Sequence, residues 1–179
     1  HFEPTGQPYY SMYNVGDYTF AAHRIAWREQ SSTFQCAVIS SSENDLSVAD
    51  AKLIVVACGS TNEAYYLAGC LNSSPVRLFV DSYSIQVQIS THVLHHVNIP
   101  VYDEKNSLHK IIVELSKRCH DLADKGDVIN IAKNEAKLDQ ATASLWDINE
   151  SELQSIQSAL EEMSPLADHA QEEEDDEDD

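Results

Sequence analysis

The chain has 179 residues, of which 42% are hydrophobic, so it is long enough to bury the core of one domain. Its formal net charge is -19, from 30 acidic and 11 basic residues, and this acidity predicts weak binding to polyanions in general. No apolar stretch reaches the roughly 18 to 20 residues that a membrane span requires, so we expect no membrane segment.

The sequence begins at His1 rather than at Met and opens with no signal-peptide pattern, so we expect it to be part of a longer protein.

The first part of the chain predicts β structure. From residue 9 to residue 40, runs rich in Tyr, Phe, Ile, Val and Trp are separated by turn residues, as in successive strands. These runs are YYSMYN, YTFAAH, RIAWR and FQCAVIS.

A loop, a strand and a helix are predicted next. Residues 40–51 are polar and predict a loop, and the continuous apolar run KLIVVAC at 52–58 predicts a strand covered on both faces. Ser60 followed three residues later by Glu63 is typical of a helix start, so a helix should begin near Thr61. The predicted buried stripe of this helix consists of Ala64, Leu67, Ala68 and Leu71.

Further elements follow up to the C-terminus. Pro75 should end the first helix, because proline disfavours helical backbone at the preceding residue. The segment VRLFVDSYS fits a helix or a strand, whereas IQVQIS and HVLHHVNIP alternate as short strands do. From residue 103 the apolar period becomes helical, Gly126 interrupts it, and Asn149 with Glu152 predicts the start of a last helix.

We therefore predict an α+β fold, with a mixed β-sheet body and packed helices, followed by a helical C-terminal portion. The predicted division is a body at 1–102, a helical region at 103–169 and a disordered acidic tail at 170–179. The tail is predicted to be disordered because residues 172–179 are all acidic, so like charges repel and nothing there can be buried.

Sequence motifs of catalysis are missing. The chain contains no P-loop, GxGxxG, HExxH or GxSxG pattern, so we assign no catalytic residue. His92 and His96 lie four residues apart, but no third ligand stands at a diagnostic spacing, so no metal site is predicted and a structural role is favoured. The four cysteines, which are predicted to be buried free thiols of a cytosolic protein, are Cys36, Cys58, Cys70 and Cys119.

Three segments in order resemble a known family. They are YYSMYNVGDYTFAAHRIAWR, LIVVACGSTNEAYYLAGCLNSSPVRLFVDSYS and ISTHVLHHVNIPVYDEKNSLHKIIVELSKRCHDLA. The set resembles the C-terminal target-recognition region of adenine-specific DNA methyltransferases from restriction–modification systems, and it is similar to half of a type I specificity subunit. In these families a strand precedes a helix of the form xxAxYLxxxLNS, and a closing strand then runs through Ile-Pro into a long helix. The corresponding segments are 64–73, 99–100 and 108–122, and the resemblance covers about residues 9–125.

The resemblance implies a module that reads DNA from base edges in the major groove. Methyl transfer to a flipped adenine would belong to an upstream domain that carries an Asn-Pro-Pro-Tyr-type motif and binds S-adenosylmethionine. This chain contains no such motif, so we expect it to bind no cofactor and to have no catalytic activity of its own. The implied partners are double-stranded DNA, the upstream methyltransferase domain and a restriction or translocase subunit, in the cytoplasm.

Arg24 and Arg28 are the leading candidates for DNA contact. They share one face of a predicted strand with Ala26, whereas Ile25 and Trp27 face the core. Arginine binds guanine and phosphate in two-pronged geometry. The alternative is an ordinary solvated face whose arginines pair with neighbouring acids. The weaker candidates, for which a salt bridge or ordinary packing is the alternative, are Lys52, Arg77, Tyr18, Tyr83 and His92.

Other functions stay open from the sequence. The helices after residue 103 could dock a nuclease, a translocase or a second copy of the chain. Two less favoured interpretations are an acidic protein that mimics DNA and a metal hydrolase that uses the histidines. Because a recognition domain usually carries a basic face, the acidity predicts weak or undetectable DNA binding by this chain alone.

Overall fold

The computed structural model describes residues 16–31, 33–41, 47–50, 52–83 and 94–175, with side chains up to residue 163. The short elements are two 3-10 helices, η1 (Asp17–Phe20) and η2 (Ser144–Trp146), and three strands, β1 (His23–Arg28), β2 (Cys36–Ser40) and β3 (Leu53–Ala57). The α-helices of these residues are α1 (Thr61–Leu71), α2 (Ser74–Tyr83), α3 (Ser107–Asp124), α4 (Val128–Ala143) and α5 (Glu150–Asp175). The fold is α+β with a helical C-terminal portion, as predicted.

The three strands form an antiparallel sheet in the order β2-β1-β3. The strands predicted at RIAWR and FQCAVIS are confirmed, and their register places Trp27 opposite Cys36 on one side and Ile54 on the other. β3 is also confirmed as a strand, but the prediction that both its faces are covered is wrong. Its burial decreases along its length to Val56, which is 37% exposed, because within the described residues α1 packs mainly against β1 and β2.

Two segments predicted as strands have other structures. Residues 17–20 of the YTFAAH region form η1, because the Thr19 N–H donates to Gly16 O (2.9 Å) and the Thr19 hydroxyl accepts from Gly16 N (3.2 Å). In HVLHHVNIP, residues 94–100 form a turn and irregular backbone, with local bonds such as Val97 N–H to Leu94 O (3.1 Å) in place of a ladder. The predicted strands YYSMYN and IQVQIS lie outside the described residues.

Helix α1 begins where the sequence predicts and lies between two layers. The Ser60 hydroxyl accepts the Glu63 N–H (3.1 Å), while the Glu63 carboxylate accepts the Gly59 N–H (2.6 Å). One face of α1 packs Ala64, Ala68 and Leu71 against Ile25 and Trp27 of the sheet, which confirms the predicted stripe. The opposite face packs Tyr66 and Cys70 against Ile112 and Val113 of α3 and Leu138 of α4.

Close contact between α1 and α3 depends on Gly69. A Cβ atom at Gly69 would lie 3.0 Å from Ile112 Cγ2 and 3.2 Å from Ser116 Cβ, which is tighter than ordinary packing. The predicted body and helical region therefore share a core. Contacts of this core cross the boundary predicted at residue 102.

The C-terminal helices follow local signals. Gly126 adopts a left-handed φ of 68° between α3 and α4, and Asn149 and Glu152 exchange reciprocal hydrogen bonds of 2.9 and 3.0 Å at the start of α5. Helix α5 extends to Asp175, so residues 170–175 of the predicted disordered tail are helical. Within the described residues, no helix combines the length and the apolar character needed to cross a membrane.

Candidate nucleic-acid interface

Arg28 and Lys52 lie together at one end of the sheet. Arg28 ends β1 opposite Leu53, and the Glu29 N–H donates to the carbonyl of Lys52 at 2.9 Å, so the two cations stand on neighbouring strands. Both side chains are exposed. Because directly paired residues point to the same face, Lys52 shares its face with Glu29 and Arg28 points to the other. The pair therefore presents positive charge on both faces of one sheet end.

Arg24 is buried, which corrects its predicted exposure on a DNA-reading face. The side chain is 0% exposed, and its guanidinium donates to Thr19 O (2.6 Å) and to the Ser41 hydroxyl. The physical reason is that Thr19 of η1 and Ser41 lie over this face of β1, so Arg24 and Ala26 are covered where the sequence predicts solvent. Arg24 therefore cannot contact a base or a phosphate in this arrangement.

Arg77 lies on α2 and is half-buried. Its Nε is buried without a hydrogen-bond partner among the described residues, and Asp81 follows one helical turn later. Burial raises the pKa of the Asp81 carboxyl, although Arg77 and the Phe34 N–H act in the opposite direction. Arg77 and Asp81 are not within ion-pair distance, so the predicted surface salt bridge is not formed between these two residues.

The remaining candidates do not join Arg28 and Lys52. Tyr18 (42% exposed) lies on η1, which precedes β1 at its His23 end, whereas Arg28 is at the other end of the strand. Tyr83 (60% exposed) lies at the end of α2, where its ring packs against Phe79 at a centroid distance of 4.7 Å. His92 lies outside the described residues. Of the seven predicted contacts, the structure thus places two, Arg28 and Lys52, at one end of the sheet, on opposite faces.

The LNSS segment connects three elements of the fold. The side-chain amide of Asn72 accepts from Cys36 N (2.8 Å) and donates to Cys36 O (2.7 Å), so it acts as a short extra strand at the outer edge of β2. Asp139 of α4 accepts the N–H of Ser74 (2.8 Å) and thereby caps the start of α2. The Ser73 hydroxyl donates to Cys70 O (2.7 Å). The residues that carry this part of the family resemblance therefore hold the sheet and the helices together.

The Ile-Pro segment is fixed by a second network. The Tyr66 hydroxyl donates to Pro100 O (3.0 Å), and His109 Nδ1 accepts the Asp103 N–H (3.0 Å). The proton of the neutral imidazole is then on Nε2, which lies 3.4 Å from the Tyr66 oxygen. Tyr66 and His109 are buried, and burial raises the pKa of the Tyr66 hydroxyl further, so the phenol stays protonated.

His120 of α3 covers the edge of β2 next to Asn72. Its Nδ1–H donates to Ser116 O (2.8 Å), which leaves Nε2 to accept the Val38 N–H (3.2 Å). Tyr65 packs edge-on against the ring at a centroid distance of 5.2 Å. These contacts satisfy backbone groups that would otherwise be open to another strand.

The four cysteines are free, as predicted, but only Cys36 and Cys70 are buried, whereas Cys58 and Cys119 are half-buried. Burial raises the pKa of Cys58 to about 11 and that of Cys70 to about 12, and it also raises the pKa values of Cys36 and Cys119. Because the thiolate is the nucleophilic and metal-binding form, these side chains are poorly reactive near neutral pH. No group of three His, Cys, Asp or Glu side chains that could hold a metal ion occurs in the described part of the chain.

A groove that the sequence did not indicate opens beside the Ile-Pro network. Its volume is about 580 Å³, and it lies where the first turns of α1 and α3 meet the loop after Pro100. Its lining residues are Asn62, Tyr102, Glu104, Lys105, Lys110, Val113 and Glu114. One sequence signal was available, since five of the 11 cations fall between residues 105 and 125.

No protein-family model matches the chain, and neither the curated proteins nor the solved structures include a significant match.

Proposed function

We propose that this chain reads DNA sequence for an adenine-specific, S-adenosylmethionine-dependent DNA methyltransferase of a restriction–modification system. In this proposal the chain is not itself catalytic, and an upstream domain binds the cofactor and transfers the methyl group. The proposal extends the sequence resemblance, and its one structural support is the exposed pair Arg28 and Lys52 at a single end of the sheet.

Rigid attachment of that sheet end favours a reading role. Asn72 and His120 tie β2 to the helices, and β2 is paired along its length with β1, which carries Arg28. A side chain that reads a base must be held in position, because a misplaced donor loses its directional hydrogen bonds. The sheet end therefore offers a fixed platform for an arginine.

The charge of the chain limits how much affinity it supplies. With a formal net charge of -19, the surface repels phosphate except near its few cations. In our proposal the catalytic domain contributes most of the phosphate contacts, and this chain contributes selectivity. We expect the protein to act in the cytoplasm, where four free thiols are stable.

The test uses the parent protein with Arg28→Ala or Lys52→Ala. An arginine that contacts a base should cost about 1–3 kcal/mol of binding and relax the preference at one position, whereas a lysine on phosphate should weaken binding to all sequences and reduce the salt dependence. Affinity is measured by fluorescence anisotropy at several salt concentrations, and site preference by sequencing the methylated adenines of a plasmid library. Lys133→Ala and Lys137→Ala, two exposed positions on α4, are matched controls.

Unchanged affinity and unchanged site preference in both variants would rule out this sheet end as the reading surface. A parent sequence with no Asn-Pro-Pro-Tyr-type motif upstream would refute the methyltransferase assignment itself.

A second candidate function is docking of a nuclease, a translocase or another subunit. The observation that favours it is the exposed apolar pair Val128 (73%) and Ile129 (71%) at the start of α4. In this case Val128→Ser/Ile129→Ser should abolish assembly with the partner subunit in size-exclusion chromatography and light scattering, while DNA affinity stays unchanged.

A further inference from the structure

The wall of the groove is held rigidly before any ligand binds. Tyr66 and His109 fasten the loop at Pro100 and Asp103 through the hydrogen bonds described above. The Tyr102 ring lies nearly parallel to the His109 ring, at 26° and a centroid distance of 6.2 Å, and 5.5 Å from that of Tyr66. Because the wall of the groove is already ordered, ligand binding does not include the entropic cost of ordering a loop.

The charges in the groove leave two lysines available. Lys117 neutralises Glu114 at 3.2 Å and also donates to Asn62 Oδ1 at 3.0 Å. Lys105 and Lys110 are exposed, and neither forms an ion pair with a carboxylate of the described residues. Glu104 is the remaining charge on the rim. With Lys117 included, these five side chains sum to +1, in a chain whose formal net charge is -19.

We propose that this groove binds the phosphate of a nucleotide through Lys105 and Lys110, with Tyr102 as the aromatic surface for the base. The volume of about 580 Å³ suits a ligand of that size. Aromatic side chains stack on any base, and lysine binds phosphate as a compact charge. The nucleotide can come from a free nucleoside phosphate or from a nucleic-acid strand, since both present the same phosphate and base.

The groove is distinct from the sheet end with Arg28 and Lys52. The groove contains Asn62, in the first turn of α1. Asn72, just after the last turn of α1, bonds to Cys36 of β2, which pairs with Trp27, the neighbour of Arg28. The 11 residues of α1 therefore place the groove and the sheet end about 16 Å apart. The inference does not depend on the methyltransferase assignment and stands or falls without it.

The test is a titration of the full 179-residue chain, followed by amide chemical shifts in NMR spectra. The probes are inorganic phosphate, the four nucleoside monophosphates, a short single strand and a matched duplex. We expect the nucleotides to shift the amides of residues 102–113 and to bind more tightly than phosphate alone. Lys105→Gln/Lys110→Gln should weaken this binding by at least about ten-fold.

The control is Lys133→Gln/Lys137→Gln, which removes the same charge from the exposed face of α4. A comparable loss in both double variants would mean general electrostatic attraction and would overturn the site. The site would also be overturned if no amide chemical shift changed at millimolar nucleotide. The same holds if an octaglutamate peptide bound as tightly as the nucleotide and displaced it. Tighter binding of a strand supports a nucleic-acid source, and binding of monophosphates alone supports a free nucleotide. Because both lysines are exposed, the variants should unfold at the same temperature as the unaltered chain, which is checked by circular dichroism.

Discussion

Replacing Asn72 with alanine tests whether the LNSS segment is structural. The Asn72 amide makes two hydrogen bonds to the backbone of Cys36, at 2.8 and 2.7 Å, and Cys36 is 5% exposed. Alanine removes both bonds at once. The N–H and the carbonyl of Cys36 then stay without partners at the edge of β2.

The expected loss follows from the two unsatisfied groups. Leaving one buried polar group unpaired costs on the order of 1–3 kcal/mol, and water can reach part of this edge because Asn72 itself is half-buried. We therefore expect Asn72→Ala to lower the free energy of unfolding by about 2–4 kcal/mol. For a chain of this length, that corresponds to a decrease in melting temperature of roughly 4–16 °C.

The assay is urea denaturation of the purified chain, followed by far-ultraviolet circular dichroism. Asn98→Ala is the matched control, because Asn98 is exposed and its side chain bonds to no other described residue. In the parent protein, the DNA site preference of Asn72→Ala should be unchanged at a temperature where the variant is folded. A free energy within about 0.5 kcal/mol of the unaltered chain would refute the structural role, since surface substitutions fall in that range.

Two further predictions concern α2 and the thiols. Asp139→Ala should lower the free energy of unfolding by about 2–4 kcal/mol, because it leaves the Ser74 N–H and the Gln157 amide without their acceptor. In the same urea titration, the control Glu135→Ala, on the exposed face of α4, should leave the free energy of unfolding nearly unchanged. At pH 8, native Cys58 should react with iodoacetamide about 100-fold more slowly than an ordinary thiol, because its pKa is raised from 9.0 to about 11, and mass spectrometry of the native and the urea-unfolded chain measures the difference. Because the pKa of Cys58 is higher in the folded chain than in the unfolded chain, the thiol contributes stability below pH 9, and this contribution is lost as the pH rises to about 11. If native Cys58 reacts at pH 8 as fast as in the unfolded chain, its pKa is not raised, and both the slow reaction and the pH dependence are refuted.

The parts of the fold that could be predicted are those set by neighbouring residues. Ser60 with Glu63 and Asn149 with Glu152 start helices because a side chain reaches a backbone N–H three residues away. Gly126 ends a helix because glycine, which has no Cβ atom, adopts a positive φ without strain. Such signals are complete within a few residues, so they do not depend on the rest of the chain.

The strand predictions that are wrong fall where local hydrogen bonds compete with strand propensity. Residues 17–20 and 94–100 contain the aromatic and branched side chains that favour strands, yet their backbone bonds close turns instead. The groove was missed for a different reason. Asn62, Tyr102 and Lys110 are separated by up to 48 residues, and only the crossing of α1 over α3 brings them together.

Arg24 shows why a cation on a predicted strand is weak evidence for a ligand. The predicted alternation of β1 is confirmed, since Ile25 and Trp27 face the helices. Alternation identifies the two faces of a strand, but it does not determine whether the second face is solvated. A strand can be covered on both faces, as β1 is at Arg24, whose guanidinium donates to Thr19 O and to the Ser41 hydroxyl. Arg28 stays exposed because it is the last residue of the same strand, so position along a central strand, and not the shared face, separates the candidate for DNA contact from the buried cation.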